Sequence, residues 1–228
     1  MSRTAELIRR LRRPIAHTYG VDWIDDAARI RDWSAPTWIL DVGAHVGMVS
    51  AQLATRFPHC TLQAFEPVPG TFAALQARLG SGRQAFCHPV AVSDRCGEVR
   101  MTAVRDSQIN RIITDEQAGS KPIVTVETIT LDSFLEAHGW PGVGLLKIDA
   151  EGFDLHVLRG AREAFARGSI DAFVAECTFN PRGAPHVDAL ELMAMSRQLG
   201  FQVVAVYSEH VGKFCRGSGH ANILFARA

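Results

Sequence analysis

The chain is short of the features that would place it in a membrane, in an oxidising compartment or on nucleic acid. No apolar run approaches the ~18 residues of a membrane span. No C-x-x-C pair occurs, and the five cysteines (Cys60, Cys87, Cys96, Cys177, Cys215) are scattered. An odd, dispersed set argues against a disulfide framework or a structural zinc site and for reduced thiols, so a cytoplasmic location is expected. Lys and Arg total 24 and Asp and Glu total 24, so no general attraction to nucleic acid or an anionic membrane is implied. Arginines near the start are not followed by an apolar core, so a secretory signal is not expected. There is no internal repeat, low-complexity tract or interdomain linker. What is present, 228 residues with 47% hydrophobic and 21% charged content, suits one globular α/β domain.

The organising stretch is Trp38 to Pro67. Trp38-Ile39-Leu40 is an apolar run closed by Asp41. Gly43 and Gly47 bracket a tight turn, and Val46, Val49, Leu53, Ala54 and Phe57 then recur at helical spacing. Leu62 to Phe65 reads as a second strand, closed by Glu66-Pro67. Strand, turn, helix and strand at this length imply a parallel pair, and such sheets bind ligands at the carboxyl ends of their strands.

The acids narrow the ligand. A dinucleotide turn, G-x-G-x-x-G, cradles a pyrophosphate. Here Gly43-Ala44-His45-Val46-Gly47 lacks one glycine, and Asp41 before it would repel a pyrophosphate. Glu66 can accept both hydroxyls of a ribose. Asp41 suits an ammonium group, and S-adenosylmethionine carries ribose, ammonium and sulfonium together. The plainer alternative is a glycine turn set by packing, with two solvated acids. A nicotinamide-dependent oxidoreductase on the same architecture is disfavoured by the missing glycine and by Asp41. A non-catalytic adenosylmethionine-binding module is a further alternative.

Before Trp38, Ala5 to Arg13 reads as a basic amphipathic helix and Asp25 to Trp33 as a second. Residues 1–37 are therefore expected to be a helical segment covering the sheet edge, with the ligand-binding domain over 38–228. After Glu66 the pattern gives a helix over Thr71–Leu79, strand regions over Gln84–Val92, Glu98–Val104 and Ile123–Ile129, and a helix over Leu131–His138. A buried strand follows over Val143–Asp149, then a helix over Phe153–Ala166. A strand over Ile170–Cys177, a helix over Val187–Leu199, and strands over Phe201–Val206 and Ala221–Ala226 complete the chain.

Leu145 to Gly152, LLKIDAEG, is the second informative stretch. Period two puts Lys147 and Asp149 on one face of a central strand. A lysine there needs a carboxylate, and Asp149, Glu151 and Glu176 are the candidates. They either hold the sheet edge or line the pocket where a methyl group leaves sulfur. His45 and His156 are weaker candidates for a base. An oxygen-ligand metal site at Asp149, Glu151 and Glu176 is disfavoured because Lys147 would compete with a cation, so no metal is expected.

These strings resemble the FkbM-type methyltransferases, a family of adenosylmethionine-dependent O-methyltransferases. The resemblance rests on Ile39–Gly47 with Phe65-Glu66-Pro67, on Val90-Ala91-Val92-Ser93-Asp94 with Gly97, and on Thr130-Leu131-Asp132-Ser133-Phe134 leading to Leu145–Gly152 and Gly160-Ala161. It spans about Trp38 to Glu176. It implies the class I methyltransferase (Rossmann-like) fold, a three-layer α/β/α arrangement whose mostly parallel seven-stranded sheet has one reversed strand near the C-terminus. It implies a cofactor site at Asp41, Gly43, Ala44, His45, Gly47, Glu66, Pro67, Ala91 and Asp149, with Asp149, Glu151 and Lys147 at the chemistry. The acceptor implied is a hydroxyl of a sugar, polysaccharide or secondary metabolite. Pro89, where the family often has asparagine, and the single serine in Ser107–Arg111 depart from the pattern. The absence of an Asn/Asp-Pro-Pro-Tyr string disfavours nucleobase amines.

Overall fold

The central strand of the sheet, Val143–Ile148, is buried along its whole length. That is the signature of a parallel strand covered on both faces. The computed structural model describes residues 19–80, 84–103, 112, 122–179, 186–207 and 220–228. The helix expected over Ala5–Arg13 and the loop Ser107–Arg111 lie outside the described residues.

In chain order the elements are α1 (Trp23–Ala27), β1 (Trp38–Val42), α2 (Met48–Arg56), β2 (Thr61–Phe65), α3 (Pro69–Leu79), β3 (Ala85–His88), β4 (Ala91–Val92), β5 (Gly97–Thr102), β6 (Ile123–Ile129), α4 (Leu131–Ala137), β7 (Val143–Ile148), α5 (Asp154–Arg159), α6 (Arg162–Ala166), β8 (Ala172–Thr178), β9 (Val187–Asp188), α7 (Ala189–Gln198), β10 (Phe201–Tyr207) and β11 (His220–Arg227). The main sheet runs β10-β11-β8-β7-β1-β2-β3, with the short β9 beside β8. β1 pairs in parallel with β2 and β7, β2 with β3, and β7 with β8, while β11 is antiparallel to both β8 and β10. This is the expected class I methyltransferase sheet with its one reversed strand.

Strand alternation sorts the core into two layers. Leu40, Leu146, Phe173 and Phe225 pack with Leu135, Leu158, Phe165 and Leu192 from α4 to α7. Ile39, Leu145, Val174 and Leu224 face the other way, packing with Ile24 and Ala27 of α1 and Leu53 of α2. The described residues before β1, from Tyr19 on, therefore pack on a face of the sheet. They are pinned by Asp26, fully buried, which accepts from the Tyr207 hydroxyl at 2.6 Å and the Gly20 amide at 2.8 Å. Among the described residues no helix is long and apolar enough to cross a membrane.

Several boundaries differ from expectation. The region Gln84–Val92 is two strands: β3 joins the main sheet, and β4 joins a small sheet ordered β4-β6-β5. Pro89 lies between them, and a proline has no N–H for a ladder. The helix expected over Asp25–Trp33 is the shorter α1, begun by Asp22, whose side chain accepts from the Ile24 and Asp25 amides. The helix expected over Phe153–Ala166 is broken at Gly160-Ala161, where the chain presses on its neighbour. A Cβ on Gly160 would stand 2.0 Å from the Ser93 carbonyl oxygen. The helix expected from Val187 opens with β9, and Asp188 then caps α7 through the Leu190 and Glu191 amides at 2.7 and 3.3 Å.

Candidate active site

The carboxyl ends of β1, β2, β7 and β8 converge on one edge, and each brings an acid there. The sheet register lines them up. Asp41 lies opposite Lys147. Ile148 lies opposite Ala175, so Asp149 falls beside Glu176 one step later. By alternation Asp41, Lys147, Asp149 and Glu176 share the face that carries α1 and α2.

Lys147 is the hub of this row. Its ammonium is buried, 3.3 Å from an Asp41 oxygen and 3.3 Å from an Asp149 oxygen, and it donates to the Gly43 carbonyl at 3.0 Å. Burial alone would depress the lysine, but Asp149 and Asp41 outweigh it and hold its pKa above the ordinary value. Burial likewise works to raise Asp149, and Lys147 reverses that, so the Asp149 carboxyl sits below its usual range. Glu176 goes the other way: burial and the Asp149 charge push it up to about 9. Lys147 thus decides which acid of this pair keeps the negative charge.

Asp41 does not reach the ligand space in the way its position before the glycine turn implied. The strand runs on to Val42, and Asp41 lies inside it, fully buried, where Ser50 donates to it and Lys147 meets its charge. Gly47 lines neither cleft described below and serves as the left-handed cap of α2 (φ 79°). Gly43 is a matter of space: a Cβ on it would lie 1.9 Å from the Asp149 carbonyl oxygen. Only glycine lets the β1 turn press against the end of β7.

Two clefts flank this contact. The first takes in Glu66 and Pro67 with Val90, Ala91, Val92 and Phe153. Glu66 accepts from the Val68 amide at 2.9 Å and the His45 amide at 3.1 Å. Burial nevertheless dominates these donors and pushes the Glu66 carboxyl up to about 7. The second takes in Ala44, Lys147, Glu176, His186, His220 and Asn222. Gly43, His45, Asp149 and Glu151 line both clefts. β7 ends at Ile148, so the turn begins before Glu151, which adopts a left-handed backbone (φ 49°), as does His45 (φ 49°). A non-glycine residue there carries strain of ~1–3 kcal/mol. Asp154, buried at the start of α5, accepts from the Gly152 amide at 3.3 Å and so supports this turn. Burial and the Asp149 charge push the Asp154 carboxyl up to about 7.

Other motif residues are architectural. Thr130 caps α4 through the Ser133 amide at 3.0 Å, and Asp132 caps α6 through the Glu163 and Ala164 amides at 3.0 and 2.8 Å. His156 pairs with Asp94 at 2.8 Å, part-exposed and outside both clefts. Sequence reasoning missed His186, which precedes β9, and His220 and Asn222, two residues apart on β11; no local spacing links His186 to the other two. It also missed Phe153 as a cleft wall; its place directly after Gly152 was the available signal.

Residues 41–203 match the methyltransferase FkbM domain. The chain belongs to this family. Its activity class is accordingly methyl transfer from S-adenosylmethionine. This FkbM-family chain is 31% identical over 202 residues to the 31-O-demethyl-FK506 methyltransferase FkbM of Streptomyces tacrolimicus, covering 73% of each protein. It is 28% identical over 160 residues to Methyltransferase 1 of Beauveria bassiana, covering 60% of this chain and 64% of that one. Among solved structures, it is similar to the magnesium protoporphyrin IX methyltransferase of Synechocystis with bound SAM, with TM-score 0.51 at 10% identity over 90% of this chain and 75% of that one. Aeropyrum pernix fibrillarin gives TM-score 0.50 at 16% identity over 83% of this chain and 66% of that one. These two show the shared fold.

Proposed function

We propose that this FkbM-family enzyme is an O-methyltransferase acting on a hydroxyl of a sugar, glycan or secondary metabolite. One observation carries the reading: the turn bearing Asp149 and Glu151 lines both clefts, so carboxylates stand where a donor from one side meets an acceptor from the other. In this reading the adenosine half of the cofactor is assigned to the first cleft, with its ribose on Glu66 and its base against Val90, Ala91 and Val92. The methionine half passes Gly43 toward the second cleft. Asp41 serves this site indirectly, by fixing Lys147.

Methyl transfer to an alcohol is an in-line displacement at the sulfonium methyl. Positioning supplies much of the acceleration, and a base takes the hydroxyl proton as the C–O bond forms. Lys147 keeps Asp149 ionised, which suits it to stabilise the sulfonium rather than to accept a proton. Glu151, on its strained turn, is then the base. Lys147 acts through Asp149 as a positioning residue. The four described cysteines Cys60, Cys87, Cys96 and Cys177 are free thiols, which supports a cytoplasmic location.

The test is a panel of hydroxylated acceptors incubated with S-adenosylmethionine labelled in the methyl carbon, followed by NMR of the product. An O-methyl resonance is the expected outcome. Label recovered only on nitrogen or carbon would refute the O-transfer reading.

A further inference from the structure

Three side chains at the second cleft are left unused by this mechanism. Glu176 projects from the end of β8. His186 immediately precedes β9, and His220 is the first residue of β11. β8 lies between those two strands, so the fold delivers both imidazoles to the flanks of one carboxylate. The register explains why they share a face. Glu176 lies opposite Asn222, two residues along β11 from His220. His186 stands one step before the Val187–Cys177 pair of the parallel β8–β9 ladder, which puts it level with Glu176.

The contacting atoms are those a metal would use. His186 Nδ1 is 3.2 Å from one Glu176 oxygen, and His220 Nε2 is 3.2 Å from the other. One ligand atom from each residue can be chosen so that all lie within 4.8 Å of one another. Ligands at ~2.1 Å from a common ion stand ~3.0–3.4 Å apart in octahedral or tetrahedral geometry. Each imidazole–carboxylate separation lies in that range, the two to different oxygens of Glu176, so one ion would meet both histidines through a bidentate carboxylate or once the part-buried rings, with centroids 5.0 Å apart, close on a single oxygen. The objection that Lys147 would repel a cation is met by the two carboxylates that balance its charge, Asp41 and Asp149, each 3.3 Å from the ammonium. Two imidazoles and a carboxylate suit a divalent transition ion, with open positions for exogenous oxygen ligands.

We propose that Glu176, His186 and His220 form a binding site for one divalent transition-metal ion at the wall of the second cleft. The site itself is independent of the acceptor. Its role rests on the O-methyltransferase reading: an ion there would bind the acceptor oxygen and lower the pKa of the hydroxyl that Glu151 deprotonates.

The experiment is calorimetric titration of the full chain, first stripped with chelator, with Zn²⁺ and with Co²⁺, the latter also followed by its visible absorption. The same titrations are run on His186→Ala, His220→Ala and a control, His59→Ala, with melting temperature as a check on folding. Adenosylmethionine binding is measured in parallel on the metal-free protein. The expected result is one ion per chain in the wild type and the control, with affinity reduced at least 10-fold in both site variants. Ligand-field bands of bound Co²⁺ should be lost with either histidine. No stoichiometric binding, or equal binding in folded site variants, would overturn the site. Metal binding without any enhancement of methyl transfer to an established acceptor would overturn its role alone. Failure of the metal-free protein to bind adenosylmethionine would count against the cofactor reading and leave the metal result separate.

Discussion

Glu66 offers a test in which pH and mutation must agree. Its carboxyl is raised from 4.5 to about 7 in the folded protein without cofactor. At 1.36 kcal/mol per unit, that burial costs the ionised form on the order of 3 kcal/mol. The folded state therefore holds the Glu66 proton more tightly than the unfolded state does. This contribution to stability is fully present below pH 4.5 and is lost as pH rises through about 7. Ribose hydroxyls donate to the ionised carboxylate, so cofactor binding at pH 6 must expel the proton. Adenosylmethionine affinity should rise by up to about tenfold per pH unit below pH 7 and flatten above it. Calorimetry in buffers of different ionisation enthalpy reads the released proton directly. Glu66→Gln should remove Glu66's share of that release, measured as the difference from wild type because Asp154 also titrates at about 7. Glu66→Ala should weaken binding by about 1.5–3 kcal/mol per lost charge-assisted hydrogen bond. Unchanged affinity in Glu66→Ala, with proton release equal to wild type in Glu66→Gln, would remove Glu66 from the ribose role.

Further outcomes follow from the same geometry. Glu151→Gln should lower kcat by about 10²–10⁴-fold, the range for a lost general base, while Asp149→Asn should mainly raise the cofactor KM; steady-state kinetics with the true acceptor separates the two. Lys147→Met leaves Asp41 buried without its counter-ion and should cost about 3–5 kcal/mol in denaturant unfolding, whereas the double variant Asp41→Leu with Lys147→Met should recover much of that loss. Asp132→Ala removes the α6 cap and should lower stability by about 1 kcal/mol, or roughly 2–4 °C in melting temperature for a domain of this size, with kcat unchanged.

The two strings that organised the sequence reading mark the two strand ends that meet in the structure. Gly43 and LLKIDAEG were legible because turn chemistry and strand alternation are local properties. The reversed strand was legible only through the family resemblance, since no local feature of Ala221–Ala226 states its direction. Asp41 was misplaced because a strand boundary shifted by one residue, and that shift carries the carboxylate from the mouth of the cleft to the layer beneath it. The lysine's need for a carboxylate was legible, but its partner on β1 depends on which strands are neighbours. His186 and His220 were illegible for the same reason: 34 positions apart in the sequence, they meet only because β9 and β11 both flank β8. The motif Thr130–Phe134 drew notice by its resemblance, and its threonine and aspartate prove to hold helices rather than ligand.

A crystal structure of the protein with bound S-adenosylhomocysteine would put the two-cleft reading to its sharpest test. The expected result has the ribose hydroxyls on the Glu66 carboxylate, the adenine against Val90, Ala91 and Val92, and the sulfur at the Asp149–Glu151 turn, facing the second cleft. A ligand bound without contact to Glu66, or with its sulfur turned away from Asp149 and Glu151, would contradict it.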